Sequence, residues 1–160
     1  MKPKLYLETT IPSYLTPKPT RVPLMAGKLI ATKKWWRLRR NDFDLFVSQL
    51  VLDEAARGDA AAARRRHAIL ARLPLLPITN EAIELAGKIQ AEHLLPPIAN
   101  DDVLHIATAT VNEAHFLLTW NCHHINNREI LPDVERLCIG LGYRFPVVCT
   151  PLELMGTSEA

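Results

Sequence analysis

The chain has 160 residues, 48% of them apolar, and a formal net charge of +2 at neutral pH. A domain of this size buries about 70% of its unfolded surface, so its core needs no stabilising disulfide or metal. No segment matches a membrane span or a signal peptide, and Cys122, Cys138 and Cys149 lack CxxC spacing, which argues against zinc or disulfide frameworks and predicts a reducing cytoplasm.

The amino-terminal part predicts a buried strand, a loop and a basic helix. Residues 4–8, KLYLE, are almost wholly apolar and end in an acid, which is typical of a buried parallel strand. Residues 9–23 are proline-rich and predict a loop, whereas residues 24–40 have helical composition. No acid occurs between Thr9 and Asn41, so residues 18–40, with Lys18, form a basic helical insertion. Such a segment suits a polyanion, although a solvated helical face explains it equally well.

The middle of the chain predicts a second strand, DLFVS, followed by helices with clear starts. Ser48 is suited to cap a helix over residues 49–57, Asp59 one over 60–73, and Thr79 one over 80–94. Residues 74–78, PLLPI, predict a short strand or extended segment. A second basic cluster, Arg64 to Arg66, falls within the second of these helices.

The carboxyl-terminal part continues the alternation of helices and strands. Helices are predicted over residues 101–112 and 128–141, strands over 115–120 and 146–150, and a short terminal helix from Pro151. Alternating strands and helices indicate an α/β architecture with a mostly parallel sheet. We expect residues 1–160 to form one domain that carries the basic insertion at 18–40.

Acidic residues occupy two positions of the predicted fold that attract attention. Glu8 ends the first strand, and ligands of open parallel sheets bind outside the carboxyl ends of the strands. Taken alone, Glu8 is equally explained as the polar residue that stops an apolar strand. Glu54 follows Leu50 and Val51 by four and three residues, so it shares their apolar helix face. The simpler alternative is that the apolar stripe ends at Glu54.

The predicted helix at 101–112 starts with two further acids. Asp102 heads the apolar stripe that continues at Ile106, whereas Asp101 is better placed to complement the helix dipole. Asn121 directly follows a strand, and Asn126 lies on the same loop, although asparagine often only turns the chain.

Glu8, Glu54 and Asp102 are therefore expected to meet at one edge of the sheet. Converging carboxylates raise each other's pKa unless a cation joins them. Oxygen ligands favour Mg²⁺ or Mn²⁺ over zinc, and such an ion beside basic surface is suited to phosphodiester hydrolysis.

Four segments, taken in their order and spacing, resemble the PIN-domain ribonucleases and, within them, the VapC-type toxins of bacterial toxin–antitoxin pairs. The segments are YLETTIPS at 6–13, VSQLVLDE at 47–54, NDDVLHIATA at 100–109 and LLTWNCHHINN at 117–127. The resemblance covers most of the chain. It implies a three-layer α/β/α fold, Mg²⁺ or Mn²⁺ as cofactor, RNA cleavage by metal-activated water, a homodimer, and inhibition by an antitoxin protein.

The resemblance also implies roles for individual residues. The expected catalytic positions are Glu8, Glu54, Asp102 and Asn121, and the first three are the expected metal ligands. The expected accessory residues are Asp101, Thr9, Thr10 and Asn126. Positive charge points to RNA contacts at Lys33, Lys34, Arg37, Arg39 and Arg40, with Arg64 to Arg66 as further guides.

Two residues depart from the family pattern and keep other interpretations open. The first acid is usually aspartate but is Glu8 here, and the fourth acid is replaced by the uncharged Asn121. There are two alternatives to a nuclease. One is a PIN-like module that binds RNA or protein without cleaving RNA, and the other is a scaffold whose acids are solvated. His105 is expected to pack against the sheet, and the run Cys122, His123, His124 is not spaced to chelate zinc.

Overall fold

The computed structural model describes residues 1–17 and 19–156, so Lys18 lies outside the described residues. The described strands are β1 (Lys4–Leu7), β2 (Asp44–Phe46), β3 (Phe116–Leu118) and β4 (Val147–Cys149). The described α-helices are α1 (Thr10–Leu15), α2 (Pro23–Arg39), α3 (Gln49–Ala55), α4 (Ala60–Leu70), α5 (Asn80–Ala91), α6 (Asn100–Val111) and α7 (Leu131–Gly140). None of these helices combines the length and apolar character needed to cross a bilayer.

All four described strands are parallel and lie in the order β2–β1–β3–β4. Tyr6 pairs with Phe46 and with Leu117, so the strands are in step across the sheet. Helices α1 to α4 pack among themselves, as do α5 to α7, and the sheet lies between helical layers. The three-layer α/β/α fold expected from the sequence is confirmed.

The strands are short and apolar because both faces of the sheet are covered. Leu5, Tyr6 and Leu7 on β1 are fully buried, as are Leu117 and Leu118 on β3. Such a rigid centre fixes the position of every side chain that emerges where a strand ends.

The loop predicted over residues 9–23 is wrong in its first part, because Thr10–Leu15 form helix α1. Pro12 is the third residue of this helix, where the backbone nitrogen has no helical acceptor in any case. Proline therefore costs nothing there, and the buried Ile11 and Pro12 anchor the helix to the core.

Two further predictions are corrected at the ends of elements. Ser48 precedes α3 with extended backbone but does not cap it, because its hydroxyl is bonded to the Tyr6 hydroxyl at 2.8 Å instead. Residues from Pro151 form turns rather than a helix. The segment PLLPI contributes only a bridge between Leu75 and Val47.

The cap predicted for α4 is confirmed and gives a first test of the fold. The Asp59 carboxylate accepts a hydrogen bond from the Ala62 amide at 2.9 Å. Asp59→Ala is expected to lower the free energy of unfolding by about 1 kcal/mol, measured by urea denaturation. Asp59→Asn keeps the acceptor and is the control. Equal stability of the alanine variant and wild type would contradict the assignment of the cap.

Candidate functional site

The carboxyl ends of the strands bring polar residues from distant parts of the chain to one edge. Glu8 follows β1, Ser48 lies just beyond β2, Thr119 follows β3 and Thr150 follows β4. All four are buried, although polar side chains at chain ends normally face solvent. These buried polar residues therefore do more than terminate the strands.

Glu8 is held by three donors on one of its oxygens. Oε2 accepts hydrogen bonds from the Thr10 amide at 3.1 Å, the Thr10 hydroxyl at 2.6 Å and the Thr119 hydroxyl at 2.8 Å. The side chain is only 4% exposed, and burial raises the pKa of Glu8 even though His105 and these donors oppose the effect. Burying a carboxylate is costly without a cation, so the site favours positive charge beside Glu8.

Glu54 projects from α3 towards the same point. Its Oε1 accepts hydrogen bonds from the Thr9 hydroxyl at 2.6 Å and from His105 Nε2 at 2.5 Å. Burial alone would raise the pKa of Glu54, but the hydrogen bond and charge of His105 outweigh it, with help from Thr9 and Arg57, and the pKa is lowered. Glu54 is therefore ionised at neutral pH.

His105 is a residue of this edge whose contacts the sequence did not reveal. It is fully buried, and its Nδ1 lies 2.7 Å from the Tyr6 hydroxyl while its Nε2 donates to Glu54. Burial lowers the pKa of His105, but the hydrogen bond to Glu54 and the charges of Glu8, Glu54 and Asp102 raise it overall. The signal in the sequence was a histidine inside the apolar stripe of α6, one turn after Asp102.

Ligand atoms of Glu8, Glu54 and His105 all lie within 4.8 Å of one another. Among the described residues, the hydrogen bonds to Glu8 reach Oε2 alone and those to Glu54 reach Oε1 alone. Each carboxylate therefore keeps one oxygen for another partner. Two carboxylates with ligand atoms this close together suit a hard divalent cation, so the residues present fit the Mg²⁺ or Mn²⁺ that the sequence predicts.

Asp102 lies at the side of this cluster rather than within it. Its Oδ2 is 2.8 Å from Nδ1 of His124, and both side chains are mostly covered. Asp102 lies close enough to His105 to raise the pKa of that histidine. Asp101 Oδ2 lies 3.8 Å from the Arg57 guanidinium, in an exposed pair that contributes little to stability.

The two asparagines of the following loop have structural partners. Asn121 Oδ1 accepts a hydrogen bond from the His124 amide at 3.0 Å, and its backbone amide donates to the Thr119 hydroxyl. Asn121 therefore shapes the turn that carries the partner of Asp102. Asn126 is buried, and its amide nitrogen lies 3.4 Å from Glu153 Oε1.

The accessory threonines lie where the sequence predicts, within the cluster. Thr9 bonds Glu54, and the Thr10 hydroxyl both donates to Glu8 and accepts from the Trp120 amide at 2.8 Å. The threonines thus tie β1 to the loop after β3.

The predicted RNA contacts lie in the second half of α2 and at Arg40, which directly follows it. Near the start of α2, Lys28 Nζ lies 5.6 Å from the Trp120 ring at the acidic edge. Near its end, Arg39 bonds Asp42 and the Leu154 carbonyl, and Arg40 covers the Trp36 ring. Lys33 and Arg37 are exposed between these ends and Lys34 is half-buried. Their role in RNA binding stays a prediction.

In the second basic cluster, the Arg66 side chain makes hydrogen bonds within the protein. Its guanidinium donates to the carbonyls of Ala55 and Arg57 and so joins α4 to the end of α3. Arg64 and Arg65 are exposed. The two adjacent tryptophans of α2 differ in burial. Trp35 is fully buried against Phe43, whereas Trp36 is partly exposed.

Comparisons with known proteins agree with this geometry. A family model for the PIN domain matches residues 27–121, which include Glu54, Asp102, His105 and Asn121 but not Glu8. No curated protein matches the chain. A solved structure of VapBC2 from Rickettsia felis, bound to a DNA fragment from the promoter, is 19% identical with a TM-score of 0.60, over 91% of this chain and 97% of that one.

At this identity the structural match shows a common fold, whereas the family match covers more than half of the chain. PIN domains are generally nucleases, and this chain carries a group of acids at the carboxyl edge of its sheet. The resemblance seen in the sequence is confirmed, and the chain belongs to the PIN-domain family.

Proposed function

We propose that the protein is a metal-dependent endoribonuclease that hydrolyses RNA phosphodiester bonds and acts as the toxin of a toxin–antitoxin pair. The observation that carries the proposal is the pair of covered carboxylates at the carboxyl edge of the sheet. Glu8 and Glu54 each have one oxygen bonded by protein donors, and ligand atoms of the two carboxylates and His105 lie within 4.8 Å of one another. A mere scaffold has no reason to cover two acids in this way.

Glu8 and Glu54 would hold Mg²⁺ or Mn²⁺, with Asp102 beside them. A divalent ion at this place supplies charge stabilisation to a phosphate and lowers the pKa of a water ligand. The Thr10 and Thr119 hydroxyls fix Glu8, and Thr9 and His105 fix Glu54, so neither acid needs to reorganise. Catalysis would then consist of positioning and charge stabilisation, with no covalent intermediate.

The remaining residues of the edge would orient the RNA. Lys28 and Arg57 flank the cluster, the former beside Trp120 and the latter beside Asp101. Their charges attract the phosphate backbone without reading sequence. Asp102, held by His124, and Asn121, which shapes that loop, would position a water or a phosphate oxygen.

Partners follow from the same proposal. The Rickettsia felis VapBC2 structure supports a protein antitoxin for this chain and the fold of a toxin from such a pair. We propose a cytoplasmic homodimer whose cleavage of RNA is blocked by the cognate antitoxin.

The test is cleavage of a mixed RNA pool by purified protein, freed of any co-purifying partner, in Mg²⁺, Mn²⁺ or EDTA. Products are expected with either metal and are expected to vanish with EDTA. Asp102→Asn is expected to slow cleavage by about tenfold or more, since one general electrostatic contact is commonly worth that much.

The control is Asp53→Asn, which removes an exposed acid from the same helix as Glu54. It is expected to cut RNA at the wild-type rate. Full activity of Asp102→Asn would remove that residue from the site. Absence of products from folded wild type in every metal would instead favour a PIN-like module that binds RNA or protein without cutting.

A further inference from the structure

A chain of buried hydrogen bonds runs beneath the two carboxylates. Ser48 Oγ lies 2.8 Å from the Tyr6 hydroxyl, which lies 2.7 Å from His105 Nδ1, and His105 Nε2 reaches Glu54 Oε1 at 2.5 Å. Ser48, Tyr6 and His105 are fully buried. The chain connects the end of β2, strand β1, helix α6 and helix α3, so each member comes from a different element.

The chain fixes the imidazole ring in one orientation. Both ring nitrogens of His105 are engaged, so a ring flip would break two buried hydrogen bonds at once. The Tyr6 hydroxyl can donate or accept, and Ser48 can take the complementary role. Nε2 therefore remains directed at Glu54.

The bonds from His105 and Thr9 decide which way Glu54 points. Both donors engage Oε1, and a carboxylate is planar, so Oε2 is aimed away from them. Ligand atoms of Glu8, Glu54 and His105 lie within 4.8 Å of one another, so the carboxylate held in this orientation lies beside that of Glu8. Without the imidazole, the glutamate has three side-chain torsions with which to leave the cluster.

We propose that His105 is a positioning residue, held by Tyr6 and Ser48, which orients the Glu54 carboxylate towards a divalent cation shared with Glu8. This inference rests on the proposed metal-dependent function and adds an imidazole N–H donor to an acidic site. His105 acts through Glu54 and does not itself contact the ion.

The experiment measures the Mn²⁺ dissociation constant of the full chain by titration followed by electron paramagnetic resonance. Wild type is compared with His105→Leu, which lacks a donor, and with His105→Gln, whose amide nitrogen can still donate to Glu54. Loss of an outer partner of a metal ligand typically weakens metal binding by about 10–100-fold. We expect that loss in His105→Leu and a constant within about threefold of wild type in His105→Gln.

Two further variants separate positioning from folding. Tyr6→Phe removes the hydroxyl that holds Nδ1 and is expected to weaken Mn²⁺ binding less than His105→Leu does. His93→Gln alters an exposed histidine beyond α5 and is the matched control. Thermal unfolding in EDTA is recorded for every variant, because a purely structural role would lower the melting temperature without changing Mn²⁺ affinity.

Each outcome bears on the proposal. An unchanged Mn²⁺ constant in folded His105→Leu would overturn it, as would an imidazole nitrogen coupling in the pulsed spectrum that disappears in that variant, since His105 would then be a ligand. Wild type that binds no Mn²⁺ would overturn this inference and the proposed function together. Weakened Mn²⁺ binding by His105→Leu, with no RNA cut by wild type, would support positioning and contradict the nuclease alone.

Discussion

Glu8→Gln is expected to remove RNA cleavage while making the metal-free protein more stable. Loss of a buried ligand charge is expected to slow cleavage by roughly 1,000-fold or more, which corresponds to about 4 kcal/mol of transition-state stabilisation. Glutamine has nearly the same shape, and its amide oxygen can still accept hydrogen bonds from Thr10 and Thr119. The change therefore isolates the charge from the packing.

The gain in stability follows from the raised pKa of Glu8. Burial is its main cause, so the folded chain binds the carboxyl proton more tightly than the unfolded chain does. Stability of the metal-free wild type must then fall as pH rises above the ordinary value of 4.5 and through the raised pKa. An uncharged glutamine does not suffer this loss. At pH 7 we therefore expect Glu8→Gln to raise the free energy of unfolding by about 1 kcal/mol, which corresponds to a melting temperature higher by roughly 2–4 °C.

The measurement is thermal unfolding in EDTA between pH 4 and pH 8, beside single-turnover RNA cleavage in Mn²⁺. The advantage of Glu8→Gln is expected to shrink towards pH 4, where wild-type Glu8 is itself protonated. Glu135→Gln, at an exposed position on α7, is the control for removing a charge. A glutamine variant that is less stable than wild type at every pH would show that the carboxylate is not strained by burial.

Mn²⁺ is expected to raise the melting temperature of wild type, and EDTA is expected to reverse the effect. A ligand at one hundred times its dissociation constant stabilises the folded state by about 2.7 kcal/mol, which for a chain of this size corresponds to roughly 5–10 °C. The physical reason is that the ion relieves the repulsion between the Glu8 and Glu54 carboxylates, whose ligand atoms lie within 4.8 Å of each other.

The specificity of that shift is tested by removing the two carboxylates. The double variant Glu8→Gln, Glu54→Gln is expected to show no melting shift with Mn²⁺, because Asp102 and the exposed acids are expected to bind the ion only weakly without the two glutamates. The exposed variant Asp53→Asn is expected to keep the whole shift. If the double variant is stabilised as much as wild type, the ion binds elsewhere and the assignment of the metal ligands is wrong.

The sequence by itself determined the α/β alternation and the positions of Glu8 and Glu54. Both follow from local rules, because Glu8 ends an apolar strand and Glu54 continues the helical face of Leu50 and Val51. Because parallel strands have their carboxyl ends at the same edge of the sheet, acids that follow them lie near one another there. The helix at residues 10–15 was not predicted, because it carries a proline in its first turn and belongs to a proline-rich segment whose composition is typical of a loop.

Only the tertiary structure decided which residues surround the acids. His105 meets Glu54 across 51 residues of chain and Tyr6 across 99, and no periodicity carries information over such separations. The same holds for the pairing of Asp102 with His124 and for the hydrogen bond that Arg39 donates to the Leu154 carbonyl, 115 residues away. Local propensity fixes which face of an element is apolar, whereas the packing of distant elements decides which polar side chains meet.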